Sequence, residues 1–210
     1  PAPPLMVGDG AGGRVLVVGE LPRIARLRES PEGWRQQPVA GDTGSVLLLP
    51  TAASFVSPSR GHVAFFDLDQ RAPYVASLQD GCWSLLRLAG TAQTDIALDL
   101  DAAGRPHTAW WTYRDGRPVL QVATPDGAVQ DAATGSAQET LHARELPRLI
   151  ASLPDTATRG PLVAWQRAGG VWAARRSMGG AWQSWRLVDS PETAPEGDCP
   201  PAEPLGPGAT

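Results

Sequence analysis

Two short polar segments hold most of the side chains in this sequence that could bind a ligand or catalyse a reaction. One segment runs from Asp67 to Arg71, and the other runs from Tyr113 to Arg117. Arginine binds carboxylates and other anions through paired donors, and two carboxyl groups at a suitable separation can hydrolyse a glycosidic bond. The candidate ligand- or partner-binding residues are Asp67, Asp69, Arg71, Tyr113, Arg114, Asp115 and Arg117.

No complete catalytic or cofactor-binding motif accompanies these residues. The sequence contains no Gly-rich phosphate loop, no Gly-x-Ser-x-Gly elbow and no Cys-x-x-Cys pair. The three histidines lack metal-ligand spacing, and the segment Asp99–Gly104 begins like a Ca²⁺ loop but lacks the later oxygen ligands. We therefore predict no enzymatic activity, no metal site and no cofactor.

The elements that position these segments are predicted to be short β-strands. Gly (23) and Pro (21) are frequent, and both residue types interrupt helices. Hydrophobic residues make up 42% of the chain and charged residues 19%, which is typical of a globular domain. The apolar run Val46–Leu49 ends at Pro50 and is too short to cross a bilayer.

A pattern of four short strands joined by turns occurs four times. In the third copy, a predicted strand at 96–101 is followed by strands at 106–111, 119–123 and 128–132. A large apolar residue begins the fourth strand of each copy, at intervals of 49, 46 and 53 residues, at Trp34, Trp83, Val129 and Trp182. A small residue recurs in the second strand, at Ala64, Ala109 and Ala164. We interpret the large residue as packing between neighbouring units and the small residue as allowing close approach near a crowded axis, so both sets are structural positions.

Four antiparallel strands per unit, repeated about every 48 residues, are typical of β-propeller blades. We predict an all-β, four-bladed β-propeller over residues 1–189, with blades at about 5–40, 41–90, 91–135 and 136–189. Residues 190–210 are predicted to form a Pro-rich, acidic, extended tail. We favour a closed ring because it leaves no open edges, and the alternative is an arc of a larger propeller that another chain completes.

The segment Ile96–Trp111, together with the Gly-then-Trp hairpins of the other copies, resembles the repeats of bacterial secreted sialidase-like β-propellers. The segment Ser77–Trp83 is similar to a degenerate Asp box of the form Ser-x-Asp-x-Gly-x-x-Trp, with the Asp at a different spacing. The resemblance covers about residues 5–188 as architecture and implies six blades, where this chain supplies four. It also implies an Arg trio and a Tyr nucleophile backed by Glu, and neither Tyr74 nor Tyr113 lies in such a pattern.

Arginines and aspartates recur in the turns predicted between first and second strands. They are Arg14, Arg60, Arg105 and Arg159, with Asp9, Asp101 and Asp155. These side chains could bind an anion on one rim of the propeller, and we favour the simpler interpretation that they form ion pairs there.

Charge and cysteine content restrict the partners and the compartment. The formal net charge is −4, and the acidic excess lies in the tail, so a balanced body is not expected to bind nucleic acid. Cys82 and Cys199 are a candidate disulfide if the protein is exported, and are otherwise two free thiols. All 18 basic residues are arginine and asparagine is absent, which we interpret as the composition of a GC-rich bacterium. The start at Pro1 is interpreted as following a removed signal peptide, so we expect a periplasmic or secreted protein.

These observations lead to one functional prediction and two alternatives. We predict a non-catalytic propeller that serves as a binding or accessory subunit of a larger extracytoplasmic or envelope-associated assembly, with protein partners contacted in part through the tail. The first alternative is a carbohydrate-binding propeller, in which Trp110, Trp111 or Tyr113 stacks on a glycan. The second is a divergent glycoside hydrolase, which requires Asp67, Asp69 and Asp115 to converge.

Overall fold

The structure is a computed structural model, and it describes residues 3–20, 23–39, 47–137, 141, 147–151, 159–167, 170–177 and 179–189. Within these residues the chain forms four four-stranded antiparallel sheets in a propeller-like arrangement. The prediction of an all-β fold with four repeated units is therefore confirmed.

Each sheet is made from four strands that are consecutive in the sequence, and each strand pairs with the next. Sheet 1 contains β1 (Leu5–Gly8), β2 (Arg14–Glu20), β3 (Arg23–Ser30) and β4 (Gly33–Val39). Sheet 2 contains β5 (Leu48–Ser57), β6 (Arg60–Asp67), β7 (Ala72–Gln79) and β8 (Cys82–Arg87). Sheet 3 contains β9 (Ala97–Leu100), β10 (Pro106–Arg114), β11 (Arg117–Ala123) and β12 (Val129–Thr134). Sheet 4 contains β13 (Arg148–Ile150), β14 (Leu162–Arg167), β15 (Gly170–Arg176) and β16 (Trp182–Asp189).

Short turns with a glycine in the left-handed region join many of these strands. In the β9–β10 turn, the N–H of Gly104 donates to the carbonyl of Asp101 at 2.8 Å, and Gly104 has φ +71°. In the β11–β12 turn, the N–H of Gly127 donates to Thr124 at 2.9 Å, and Gly127 has φ +85°. Glycine is favoured at both positions because side chains with a Cβ rarely adopt positive φ. The Gly-rich composition thus explains the tight spacing of the strands.

In the described part of the chain, the buried apolar residues form three separate clusters, and each cluster lies between two consecutive sheets. The first joins sheets 1 and 2 through residues such as Val17 and Phe65. The second joins sheets 2 and 3 through Phe66 and Trp110, and the third joins sheets 3 and 4 through residues that include Trp165. Because each of sheets 2 and 3 is covered on both faces, their second and third strands are buried along nearly their whole length.

Among the described residues, sheets 1 and 4 differ from the inner sheets because an apolar cluster joins each of them to a neighbouring sheet on one face only. The first strands β1, β5, β9 and β13 contact one another in succession, and β12 also contacts β15 and β16. In the part of the chain that the structure describes, no apolar cluster joins sheet 4 to sheet 1, and no strand of sheet 4 packs extensively on a strand of sheet 1. The described sheets therefore form a succession with two ends.

Candidate functional site

The first predicted polar segment forms the turn between β6 and β7. Asp67 is fully buried at the end of β6, and its Oδ1 accepts hydrogen bonds from the N–H groups of Asp69 (2.8 Å) and Gln70 (3.1 Å). Asp69 is exposed, and Arg71 is exposed with φ +54°. A carboxylate that accepts hydrogen bonds from the N–H groups of its own turn stabilises that turn, so this oxygen is less available to bind a ligand. Asp67 therefore shapes this turn.

The second predicted segment forms the turn between β10 and β11. Asp115 (φ +51°) and Gly116 (φ +72°) make the two-residue turn. Arg114 and Arg117 lie opposite each other in the antiparallel register of the two strands. The guanidinium of Arg114 forms an ion pair with Asp131 on β12. Tyr113 is partly exposed, and its hydroxyl accepts a hydrogen bond from the N–H of Leu141 at 2.7 Å. The side chains of Tyr113 and Arg114 thus have partners within the protein.

The loop 88–96 connects these two turns, which lie on the same side of the molecule. The N–H of Ala92 donates to the carbonyl of Arg71 at 2.7 Å. The guanidinium of Arg71 donates to the side-chain oxygen of Gln93 at 3.3 Å. The N–H of Gln93 then donates to the carbonyl of Trp111 at 2.8 Å. The structure therefore links the two predicted segments through a shared loop.

The two cysteines and two adjacent tryptophans are the other candidate residues from the sequence. Cys82 is exposed at the start of β8, whereas Cys199 and the whole tail lie outside the described residues. Trp110 and Trp111 are buried, so neither presents a ring on which a glycan could stack. The Nε1–H of Trp110 donates to the carbonyl of Thr91 at 3.1 Å.

On the opposite side of the molecule, two aspartates cap equivalent turns. Asp9 follows β1, and its Oδ1 accepts from the N–H groups of Ala11 (2.9 Å) and Gly13 (2.8 Å). Asp101 follows β9, and its Oδ1 accepts from the N–H groups of Ala103 and Arg105, both at 2.9 Å. Asp9 and Asp101 of the predicted rim therefore stabilise their own turns, while Asp155 lies outside the described residues.

Arginines of this rim make contacts with their own or neighbouring sheets. Arg14 pairs with Glu29 at 2.6 Å, and Arg105 pairs with Asp101 at 2.8 Å. Arg60 of sheet 2 donates to the carbonyl of Ala103 in sheet 3 at 2.8 Å. Arg159 donates to the carbonyl of Arg176 at 3.2 Å. Arg14 and Arg105 thus form ion pairs, whereas Arg60 and Arg159 donate to backbone carbonyls, so the contacts agree with the ion-pair interpretation of the rim in part.

The capping aspartates predict a specific dependence of stability on pH. The N–H of Ala11 holds the pKa of Asp9 below its ordinary value, while burial opposes this effect. Burial would raise the pKa of Asp101, but the N–H and guanidinium of Arg105 outweigh it and leave this pKa lowered. In acid, the unfolded chain then binds more protons than the folded one. The contribution of these two carboxylates to the free energy of unfolding is therefore largest above the ordinary Asp pKa of about 3.9, and it falls as the pH drops below that value.

Urea unfolding between pH 7 and pH 3 measures this dependence. The variant Asp101→Asn retains a carbonyl oxygen but has no charge to titrate. We expect about 1 kcal/mol lower stability at pH 7, because hydrogen bonds to a charged acceptor are stronger than those to a neutral one. We also expect its stability to fall less steeply in acid than that of the parent chain. Equal acid dependence in the two proteins would show that the Asp101 carboxylate does not stabilise the turn.

A polar cavity of about 360 Å³ lies between sheets 3 and 4 on this side, and its lining includes His107, Arg105, Asp126 and Arg176. In the equivalent position of sheet 2, His62 contacts Ser77 Oγ at 2.9 Å and the Gly104 carbonyl at 3.1 Å. Burial lowers the pKa of both histidines, so both rings are neutral at pH 7. Arg105 is already paired with Asp101, and the cavity contains charges of both signs. The lining therefore shows no single preferred ligand class.

The outer face of sheet 1 is the face that points away from sheet 2, and it contains Met6, Leu16, Ala25, Leu27 and Trp34. Strand pairing places Trp34 opposite Glu29 and Met6 opposite Leu16, whereas Val15 and Val17 point to the other face. Trp34 is 46% exposed and Met6 is 63% exposed. These two side chains are among the most exposed large apolar side chains of the described residues.

The residues equivalent to Trp34 in the other sheets are partly buried against a neighbouring sheet. Trp83 packs on the cluster between sheets 1 and 2, where its ring lies edge-on to Phe55 with centroids 6.4 Å apart. Val129 packs on the cluster between sheets 2 and 3, and Trp182 packs on the cluster between sheets 3 and 4. The Nε1–H of Trp182 also donates to Gln130 at 3.0 Å. Each of these residues faces the preceding sheet, and the described residues place no preceding sheet against Trp34.

The outer face of sheet 4 is the face that points away from sheet 3, and it contains Ile150, Leu162, Ala164, Ala173 and Trp185. Strand pairing places Ile150 opposite Leu162 and Trp185 opposite Ala173, while Val163 and Ala174 belong to the cluster with sheet 3. Ile150 and Trp185 are each 41% exposed. The two ends of the described succession thus both present exposed apolar side chains, while Ala25 and Ala173, which lie on the same two faces, are 3% and 0% exposed.

Sequence reasoning missed these two faces because it interpreted the repeated large residue as a packed one in every copy. That interpretation is confirmed for Trp83, Val129 and Trp182, and it is wrong for Trp34. The signal that could have identified the exception is position in the chain. Trp34 belongs to the first copy, and the side chain at this position packs on the preceding copy.

Two further observations concern the part of the chain that the structure describes. It contains no helix that is long and apolar enough to cross a membrane. Its His, Cys, Asp and Glu side chains form no group of three or more that could hold a metal ion. No protein-family model matches the sequence, and a search of curated proteins finds none similar to it.

Proposed function

We propose that this protein is a non-catalytic binding subunit that assembles with other protein through the outer faces of its sheets 1 and 4. The observation that carries the proposal is the exposure of Trp34 at a position whose equivalents are partly buried against a preceding sheet in the other three sheets. An apolar face of this kind is stabilised by burial, and a fully covered Trp contributes a few kcal/mol to an interface.

The polar segments support this proposal indirectly. Asp67 caps its own turn, Arg114 is paired with Asp131, and Tyr113 accepts a hydrogen bond from Leu141. These contacts commit much of the candidate ligand-binding set to holding the turns and the loop 88–96. The uncovered faces are the better candidates for binding because their large side chains have no comparable role in the fold.

The compartment is part of the same proposal. We propose an extracytoplasmic protein of a larger, envelope-associated assembly, as the sequence analysis predicts. Balanced charge on the body favours a protein partner over nucleic acid. In such a compartment the exposed Cys82 would meet oxidising conditions, so its redox state in protein purified from its source bears on this point.

Site-specific photocrosslinking tests the proposal. A photoreactive phenylalanine derivative replaces Trp34 or Trp185 in the full chain, produced in the cells from which the sequence comes. The same derivative at Leu68, which is 38% exposed in the β6–β7 turn, provides the matched control. We expect a discrete crosslinked protein of defined mass from positions 34 and 185 and much weaker crosslinking from position 68. Equal crosslinking at all three positions would contradict the proposal.

A further inference from the structure

We propose that the protein bound to these outer faces is a second copy of this chain, and that two copies close head to tail into a ring of eight sheets. In this ring, the outer face of sheet 4 of each copy packs on the outer face of sheet 1 of the other. The inference rests on the proposed function because it names the partner of the same two faces. Eight sheets lie within the usual range of about four to eight for a propeller.

The three interfaces inside the chain define which faces fit each other. At each one, the fourth-strand residue of one sheet packs on the preceding sheet. At the second and third interfaces, that preceding sheet also presents a small residue of its second strand toward the next. Ala64 lies in the cluster between sheets 2 and 3, and Ala109 lies in the cluster between sheets 3 and 4. The interface is therefore directional, with a different surface on each side.

The two ends of the chain carry the two halves of one further interface of this kind. Ala164, which corresponds to Ala64 and Ala109 in the repeat, lies on the outer face of sheet 4, opposite Ala173. Trp34 lies on the outer face of sheet 1 at the position of the docking residue. Within one copy, the described parts of these two faces do not pack together. A second copy supplies both missing surfaces at once.

Symmetry explains why two copies are expected rather than a chain of many. A head-to-tail contact either closes into a ring or continues as an open filament. With two copies related by a two-fold axis, both contacts are identical and no outer face remains uncovered. Closure also forms the second contact within the same complex, which raises its effective concentration and the stability of the dimer.

This interface is expected to be weaker than those inside the chain. The outer face of sheet 4 carries the exposed Gln166 where sheets 2 and 3 have the buried aromatic residues Phe66 and Trp111. The outer face of sheet 1 carries the Arg14–Glu29 ion pair beside Trp34. Polar groups at these positions reduce the apolar area that is buried, so the dimer should dissociate on dilution.

Sedimentation equilibrium of the full chain over a hundredfold range of concentration is the first test. We expect a species of about 44 kDa, twice the 22.1 kDa of one chain, that dissociates at low concentration. Trp34→Asp and Trp185→Asp should each remain at the mass of one chain, because each destroys one half of both contacts. Leu68→Asp, in an exposed turn, should form the dimer like the parent chain. Met6→Asp provides a second variant of the sheet 1 face if Trp34→Asp does not fold.

Mixing the two variants tests the head-to-tail arrangement itself. Trp34→Asp keeps an intact sheet 4 face and Trp185→Asp keeps an intact sheet 1 face, so a mixture can form one of the two contacts. We expect the mixture to contain a two-chain species at concentrations where neither variant alone forms one. Dimers of either variant alone would instead indicate contact between identical faces and would overturn the proposal.

Other outcomes separate this inference from the proposed function. A parent chain that stays monomeric at every concentration, or one that forms filaments, overturns the eight-sheet ring. If the chain is monomeric while photocrosslinking at position 34 captures a different protein, the proposed binding function stands and only the identity of the partner is wrong. If neither association nor crosslinking occurs, both proposals fail.

Discussion

Trp110→Ala is expected to lower the free energy of unfolding by about 3–5 kcal/mol, which is typical of removing a buried Trp. Trp110 is fully buried in the cluster between sheets 2 and 3. Its Nε1–H also donates to the carbonyl of Thr91, which holds the loop 88–96 against sheet 3. The variant would therefore leave a cavity between two sheets and free the loop that connects the predicted polar segments.

Urea unfolding followed by far-UV circular dichroism measures this loss. Trp110→Phe is the matched control, because it retains much of the apolar ring but cannot donate to Thr91. We expect it to lose about 1–2 kcal/mol, as for one hydrogen bond and a partial cavity. Equal stability of Trp110→Ala and the parent chain would show that sheets 2 and 3 do not pack as described.

Gly10→Ala is expected to lower the free energy of unfolding by about 3–5 kcal/mol, combining overpacking with backbone strain. Gly10 has φ +76° in the turn between β1 and β2. A Cβ at this position would lie 2.1 Å from the carbonyl oxygen of Val56 at the end of β5. Because the clashing atom belongs to the backbone, the turn of sheet 1 would have to move away from sheet 2.

Gly12→Ala separates the clash from the strain. Gly12 has φ +91° in the same turn, but a Cβ there would meet no atom within 4 Å. We expect this variant to lose only about 1–2 kcal/mol, the usual cost of the left-handed conformation for a residue with a Cβ. Thermal unfolding of the two variants side by side measures the difference. Similar losses would indicate that the β1–β2 turn does not touch sheet 2.

The fold of this protein is largely predictable from its sequence because the repeat fixes both the strands and their order. Sixteen strands in the described residues follow the four predicted units, and their turns contain the expected Gly and Asp residues. Strand ends were less predictable. For example, β5 begins at Leu48 and continues past Pro50. Pro lacks the N–H that a central strand needs, but β5 is the first strand of its sheet and one of its edges is free.

The candidate site was harder to predict because the exposure of a residue depends on whether a neighbouring sheet packs on it. Trp34 and Trp83 begin the same strand of neighbouring units, yet Trp83 is packed against Phe55 and Trp34 is exposed. Nothing in the local sequence of either residue distinguishes them. The difference comes from their place in the succession of sheets. Conversely, the sequence suggested Asp67 as a ligand-binding residue. In the structure, its carboxylate accepts hydrogen bonds from the N–H groups of the turn that follows β6.

Radical footprinting of tryptophan side chains tests most directly whether the outer faces are uncovered in one chain and covered in its assembly. Oxidation of Trp34 and Trp185 is measured by mass spectrometry at low and high concentrations of the full chain, with the buried Trp110 as an internal reference. We expect Trp34 and Trp185 to be oxidised readily in dilute protein and to become protected as concentration rises, while Trp110 is protected throughout. If Trp34 is as protected as Trp110 in the most dilute sample, the chain covers its own outer faces and the account is wrong.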